Sequence, residues 1–188
     1  MIISELLSKA IELEDAGDHQ KAAKLYEEII SAGELDETTA SAHINLGNIL
    51  YNRKDYTGSV VQYRSALRIN PKYALAYFDL ANVLDEIGRH DEAVASYTAA
   101  IEICPTYADA HYNLALNHER SGHPLKALQH WQRYVKLDKS GAWHKHATNQ
   151  IARIMATKRL ICCEVVWSNP APNRTPDRAN LCIAGREL

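Results

Sequence analysis

The chain has no long apolar run, no paired-cysteine motif and no glycine-rich phosphate loop, and each absence closes off a class of function. No stretch approaches the ~18 consecutive apolar residues that a membrane-spanning helix needs, so the membrane is not an expected partner. Met1 leads into IISELLSKAIELED, where Glu5 interrupts the apolar core that an ordinary secretory signal requires. Without such a signal the four cysteines (Cys104, Cys162, Cys163 and Cys182) are expected to stay reduced, in a cytoplasmic protein without structural disulfides. The tripeptide Asn173-Arg174-Thr175 then has no role as a glycosylation site. Zinc at Cys162-Cys163 would need two further ligands, and no spacing here supplies them. His144 and His146 lie two apart and so on different sides of a helix. No nucleophile elbow or metalloprotease motif is present. The expectation is a chain that is not an enzyme and takes no cofactor and no metal.

What is present is charge segregation and repetition. The net charge of −2 is spread unevenly: residues 1–39 carry −7, residues 40–107 carry −1, and residues 108–188 carry +6. The basic third is read as a solvated outer face. A pI near 6.5 and the lack of any base-reading motif with interleaved aromatics argue against nucleic acid. AHINLGN at 42–48 returns as AYFDLAN at 76–82 and as AHYNLAL at 110–116, each 34 residues after the last. Within one interval, Tyr77, Leu80, Ala81 and Leu84 form a helical stripe at i, i+3, i+4 and i+7. Gly88 permits a turn, and a second helix follows with Ala93, Tyr97, Ala100 and Ile101 on one face. Pro105 disfavours helix at Cys104 and suits the next start. Small residues (Gly47, Ala81 and Ala115 in the first helices, Ser59, Ala93 and Ala127 in the second) allow paired backbones to approach closely. One such hairpin cannot bury its stripe alone, so neighbours must stack.

The pattern resembles the tetratricopeptide repeat, whose signature runs W-x2-L-G-x2-Y, A-x3-F, P. Residues 40–73 give His43, Leu46, Gly47, Leu50, Ser59, Tyr63 and Pro71, and residues 74–107 give Tyr77, Leu80, Ala81, Leu84, Ala93, Tyr97 and Pro105. Residues 108–141 give His111, Leu114, Ala115, His118, Ala127 and Trp131, with Lys139 in the proline place. Residues 3–39 are similar to a degenerate first copy: Leu6, Ala10, Leu13, Gly17, Ala22 and Tyr26. The resemblance implies an all-α, right-handed solenoid of four helix pairs spanning 3–141. His43, His111 and His118 would stand at packing positions between paired helices. A capping helix is expected over 142–159, with Trp143, Ala147, Ile151, Ile154 and Met155 on its inner face. From 160 to 188 the β-prone LICCEVVW and the Pro- and Asn-rich remainder predict a poorly ordered tail.

The resemblance also implies a concave surface, lined by the second stripe of the first helices, where extended peptides or partner helices bind. That stripe carries seven acids and one base, Arg120, across the four repeats. Clamps of this family that hold a chaperone C-terminal carboxylate need Lys or Arg at places filled here by Ser41, Ile44, Asn45, Leu75, Phe78, Asp79, Asp109, Tyr112 and Asn113. None of these is basic, so that use is not expected. Candidate partner-binding residues are Asn45, Asn48, Phe78, Asp79, Asn82, Asp85, Asp109, Tyr112, Asn113 and Glu119. The four asparagines either pair with the backbone of a guest or bond across neighbouring helices. Four such bonds at about 1 kcal/mol each fall short of the ~8 kcal/mol of micromolar binding. Ile44, Phe78, Tyr112 and the acids would have to supply the rest. The expected partner is therefore a protein or peptide with basic or partly apolar residues. A self-assembling scaffold, joined acidic N-terminal end to basic C-terminal end, is the alternative.

Overall fold

The computed structural model describes residues 3–33 and 35–168, with side chains as far as Lys158. Nine helices and no strand occur among the described residues. They pair in chain order. The pairs are α1 (Ile3–Asp15) with α2 (His19–Ser31), α3 (Glu37–Asn52) with α4 (Tyr56–Ile69), α5 (Ala74–Glu86) with α6 (His90–Ile103), and α7 (Ala108–Arg120) with α8 (Pro124–Leu137). The ninth helix, α9 (His144–Ser168), packs on α8. Each element touches the next, and the first helices α1, α3 and α5 also touch one another, as expected of a one-dimensional stack.

Within every pair the turn is built the same way. A residue at positive φ ends the first helix: Gly17 at 80°, Lys54 at 63°, Gly88 at 79° and Gly122 at 72°. The residue after it donates its N–H to a carbonyl five residues back, as in Asp18 to Leu13, Asp55 to Leu50, Arg89 to Leu84 and His123 to His118. That bond satisfies a helix-end carbonyl and folds the chain sharply back on itself. Lys54 holds this left-handed place without the freedom that glycine has. The second helices then start on side-chain caps in the first half of the array, with Asp18 accepting from the Lys21 N–H and Asp55 from the Gly58 N–H. In the second half Arg89 and His123 provide no such cap, and Pro124 opens α8 instead.

The small residues do the steric work expected of them. Ala81, Ala93, Ala115, Ala127 and Ser59 are fully buried. A Cβ on Gly47 would lie 2.8 Å from the Tyr63 ring, so only glycine lets that ring lie flat on α3. The Ser59 hydroxyl donates to the Gly47 carbonyl at 2.9 Å across the same crossing. One large aromatic residue fills the centre of each pair: Tyr26, Tyr63, Tyr97 and Trp131, none more than 2% exposed. His43 accepts its packing role with a 2.7 Å contact to Gln62.

At the C-terminal end, α9 seats Ala147 and Ile154 against α8, with Ile151 half-buried beside them. Trp143 precedes the helix and is 59% exposed, and Met155 is 42% exposed. Only the i, i+4, i+7 core of the expected stripe therefore faces inward, because a helix resting on a single neighbour buries a narrow face. The helix passes the expected boundary at 159 and continues to Ser168. A helix already nucleated extends at little cost through residues of β preference. Residues 169–188 of the expected tail lie outside the described residues.

Candidate functional site

The polar tip of each central aromatic reaches across its own pair to the first helix. Tyr63 donates to Asn48 Oδ1 at 2.6 Å and Tyr97 to Asn82 Oδ1 at 2.7 Å. In the outer pairs the acceptor is a glutamate one turn further along: Tyr26 donates to Glu14 at 2.8 Å and Trp131 to Glu119 at 3.3 Å. A second set of bonds joins successive pairs. Asn45 Nδ2 donates to the Tyr26 hydroxyl at 3.2 Å. Asn113 Nδ2 donates to the Tyr97 hydroxyl at 3.3 Å and to Asn82 Oδ1 at 2.9 Å. All four asparagines thus bond within the array, Asn45, Asn82 and Asn113 across successive pairs and Asn48 within its own.

Asp79 occupies, one repeat earlier, the place of Asn113. It makes no hydrogen bond or ion pair among the described residues. Burial pushes its carboxyl up to about 6. It lines a cleft of about 440 Å³ with Glu14, Asn48, Tyr51, Tyr63, Leu75 and Asn82.

The other acids of the stripe are placed differently. Asp85 is held by Arg120 at 2.8 Å and by His90 at 2.8 Å. Glu119 is held by Arg153 of α9 at 3.0 Å. Their negative charge is compensated within the chain, which narrows the expected acidic field to Asp79, Glu14 and the exposed Asp15, Glu86 and Asp109. Of the apolar anchors, Phe78 packs against Tyr107, with ring centroids 4.8 Å apart, and against Tyr97 at 5.8 Å. Tyr112 meets Trp131 and Tyr134 edge-on and Trp143 at 5.7 Å. Both rings are half-buried and fixed in place. Ile44 is 4% exposed and belongs to the core.

On sequence, Tyr51 and Arg120 stand on the second stripe but not among the candidate binding residues, and neither Tyr63 nor Arg153 is assigned to the site. A signal for the arginines existed. Asp85 and Arg120 are 35 residues apart and Glu119 and Arg153 are 34 apart, the separation that stacks one repeat on the next.

The histidines gather on the last pair. His111 Nε2 donates to the Pro105 carbonyl at 3.2 Å, so its Nδ1 accepts from His130 Nδ1 at 3.1 Å. His118 stacks on His130 with centroids 5.6 Å apart. Burial lowers all three, His130 to about 4, where the neighbouring His111 and His118 add to the effect. No group of three or more His, Cys, Asp or Glu among the described residues is arranged to hold a metal ion.

The geometry defines a class, an all-α solenoid of helix pairs held together by a buried aromatic and polar ladder. Residues 47–88 and 82–122 match the family model for the TPR repeat, and the helix pairs there are tetratricopeptide repeats. A tetratricopeptide repeat protein from Parabacteroides merdae is similar in structure, with 17% identity and a TM-score of 0.73 over 82% of this chain. This chain spans 60% of that protein's length. The MamA protein is similar at 15% identity and a TM-score of 0.69, over 93% of this chain and 98% of its own. The Cut9–Hcn1 hetero-tetramer of the APC/C is similar at 16% identity and a TM-score of 0.67, over 82% of this chain and 30% of that one. No curated protein matches the sequence. The family is one of protein-interaction and scaffold modules, and no helix among the described residues is long and apolar enough to cross a membrane.

Proposed function

We propose that this chain is a non-catalytic, cytoplasmic interaction module that captures a basic, partly apolar segment of a partner protein on the surface lined by α1, α3, α5 and α7. The observation that carries this reading is the cleft beside Asp79, where a half-buried carboxylate meets no cation among the described residues while Asp85 and Glu119 each have one. A carboxylate withdrawn from water and left unpaired attracts positive charge more strongly than a solvated one. Asp109 at the rim extends the same sign of potential, and the exposed edge of Leu75 offers apolar surface next to it. Such a surface steers cationic segments and speeds their encounter, with marked dependence on salt. The Asn ladder supports the groove by fixing the spacing of its walls.

A peptide-array screen followed by titration against the double variant Asp79→Lys/Asp109→Lys tests the proposal. Basic peptides should be enriched, and the folded double variant should lose them. Enrichment of acidic peptides, or undiminished binding by the variant, would overturn it. Head-to-tail self-assembly draws on the −7 of residues 1–39 facing the +6 of residues 108–188. Size-exclusion chromatography at low and high salt separates the two, since only self-assembly gives a larger species of the purified chain that salt disperses.

A further inference from the structure

The junctions between successive pairs can be superposed by adding 34 to the residue number, and this turns Asn48, Tyr63 and Asp79 into Asn82, Tyr97 and Asn113. At the later junction one donor nitrogen, Asn113 Nδ2, serves two acceptors, Asn82 Oδ1 at 2.9 Å and the Tyr97 hydroxyl at 3.3 Å. At the earlier junction the same place holds a carboxylate, which donates nothing when ionised. Tyr63 still donates to Asn48 Oδ1, so both oxygens keep free lone pairs, and Asp79 adds two more acceptor atoms. All three residues line one cleft. The Asn48, Asn52 and Asn82 amides also border this cleft, yet no donor among the described residues bonds the Asp79 carboxylate.

We infer that this cleft seats the side chain of a single lysine from a bound segment, whose ammonium donates to Asp79, Asn48 and Tyr63 and so replaces the amide that the next junction carries. An ammonium brings three rotatable donors on a compact head, one for each of these three residues of the cleft, whereas a guanidinium presents a flat fork. The lysine's methylene stem would lie along Leu75, which is 46% exposed, and the Tyr51 ring. Glu14 borders the cleft from α1, where its carboxylate accepts from Tyr26 and adds negative charge beside the seat. The seat rests on the groove reading above and specifies its central contact.

The test uses the full chain and two small probes, N-acetyl-lysine methylamide and its norleucine counterpart, followed by NMR of the side chains at the junction. Saturable shifts of the Asn48 amide and the Asp79 carboxyl are expected from the lysine probe alone. In Asp79→Asn, which should fold because it restores the amide found at Asn113, the lysine affinity should fall at least about tenfold. Asp91→Asn, at an exposed position in the first turn of α6, should leave it unchanged. No saturable shift from the lysine probe, equal shifts from norleucine or from ammonium chloride, or full affinity in Asp79→Asn would each overturn the seat. The two readings can fail separately. Basic peptides from the array that bind Asp79→Asn as well as the parent would remove the seat and keep the groove. A saturating lysine probe with no basic peptide enriched would keep the seat and remove the groove.

Discussion

The second and third junctions of the array are made from the same positions one repeat apart, and they differ in whether the circuit between repeats is closed. Asn113 closes the third by donating to both Asn82 and Tyr97, while Asp79 leaves the second open. The exchange of an amide nitrogen for a carboxylate oxygen changes almost no volume, yet it turns a structural tie into an unpaired, half-buried charge. In a repeat protein the fold tells what each position should do, so a departure from the local rule stands out against its neighbours. Here the departure falls in the cleft lined by the first helices.

Putting the open junction where the closed one stands should have the largest effect. Asn113→Asp removes two donated bonds and sets a carboxylate against two acceptors, and should cost about 2–3 kcal/mol in urea titration near pH 8. Tyrosine-to-phenylalanine changes come next. Tyr97→Phe removes one bond to Asn82 and one from Asn113, whereas Tyr63→Phe removes only the bond to Asn48. Losses of about 2 and about 1 kcal/mol are expected, and equal losses would mean that the second junction is closed after all. Lys54 ends the helix that forms one wall of the open junction and bears the positive φ that glycine bears in the other three turns. Lys54→Gly should therefore gain about 1 kcal/mol by the same titration.

The second junction and the histidines of the last pair should also answer acid with opposite signs. Burial raises the Asp79 carboxyl from 3.8 to about 6, so the folded chain holds more protons than the unfolded one between those values, and stability from this group rises as pH falls. His130 is lowered from 6.5 to about 4, with His111 and His118 lowered as well. The unfolded chain holds more protons there, and their contribution is lost as pH falls from 6.5 toward 4. Removing the carboxyl in Asp79→Asn should leave the histidine loss unopposed. Its stability should then decline more steeply than the parent's from pH 6.5 to 4, a small difference that matched denaturation curves resolve.

Much of the fold is legible in the sequence because the constraint repeats. The 34-residue spacing, the small residues at helix crossings and the glycines of three turns each recur where packing demands them. Lys54 hides the fourth turn, since nothing in a lysine announces a left-handed backbone. The inward face of α9 is overread at Trp143 and Met155, because a stripe on a wheel does not show how wide a face the neighbour covers. At the site, the stripe of first-helix residues identifies the right surface but not its charge. Asp85 and Glu119 count as acids in sequence, and only stacking brings Arg120 and Arg153 onto them. The asparagines are visible as a series, but their partners are tyrosine hydroxyls of other helices, at separations of 15 to 19 residues that periodicity alone does not single out.

The most direct test of the central claim, that the second junction is the third with its donor removed, is the urea midpoint of Asp79→Asn near pH 8. If the amide completes the circuit with Asn48 and Tyr63, the variant should be more stable than the parent by about 1 kcal/mol, the reverse of Asn113→Asp. A variant less stable than the parent would show that the carboxylate already has its partners, and the open seat for a cation would not exist.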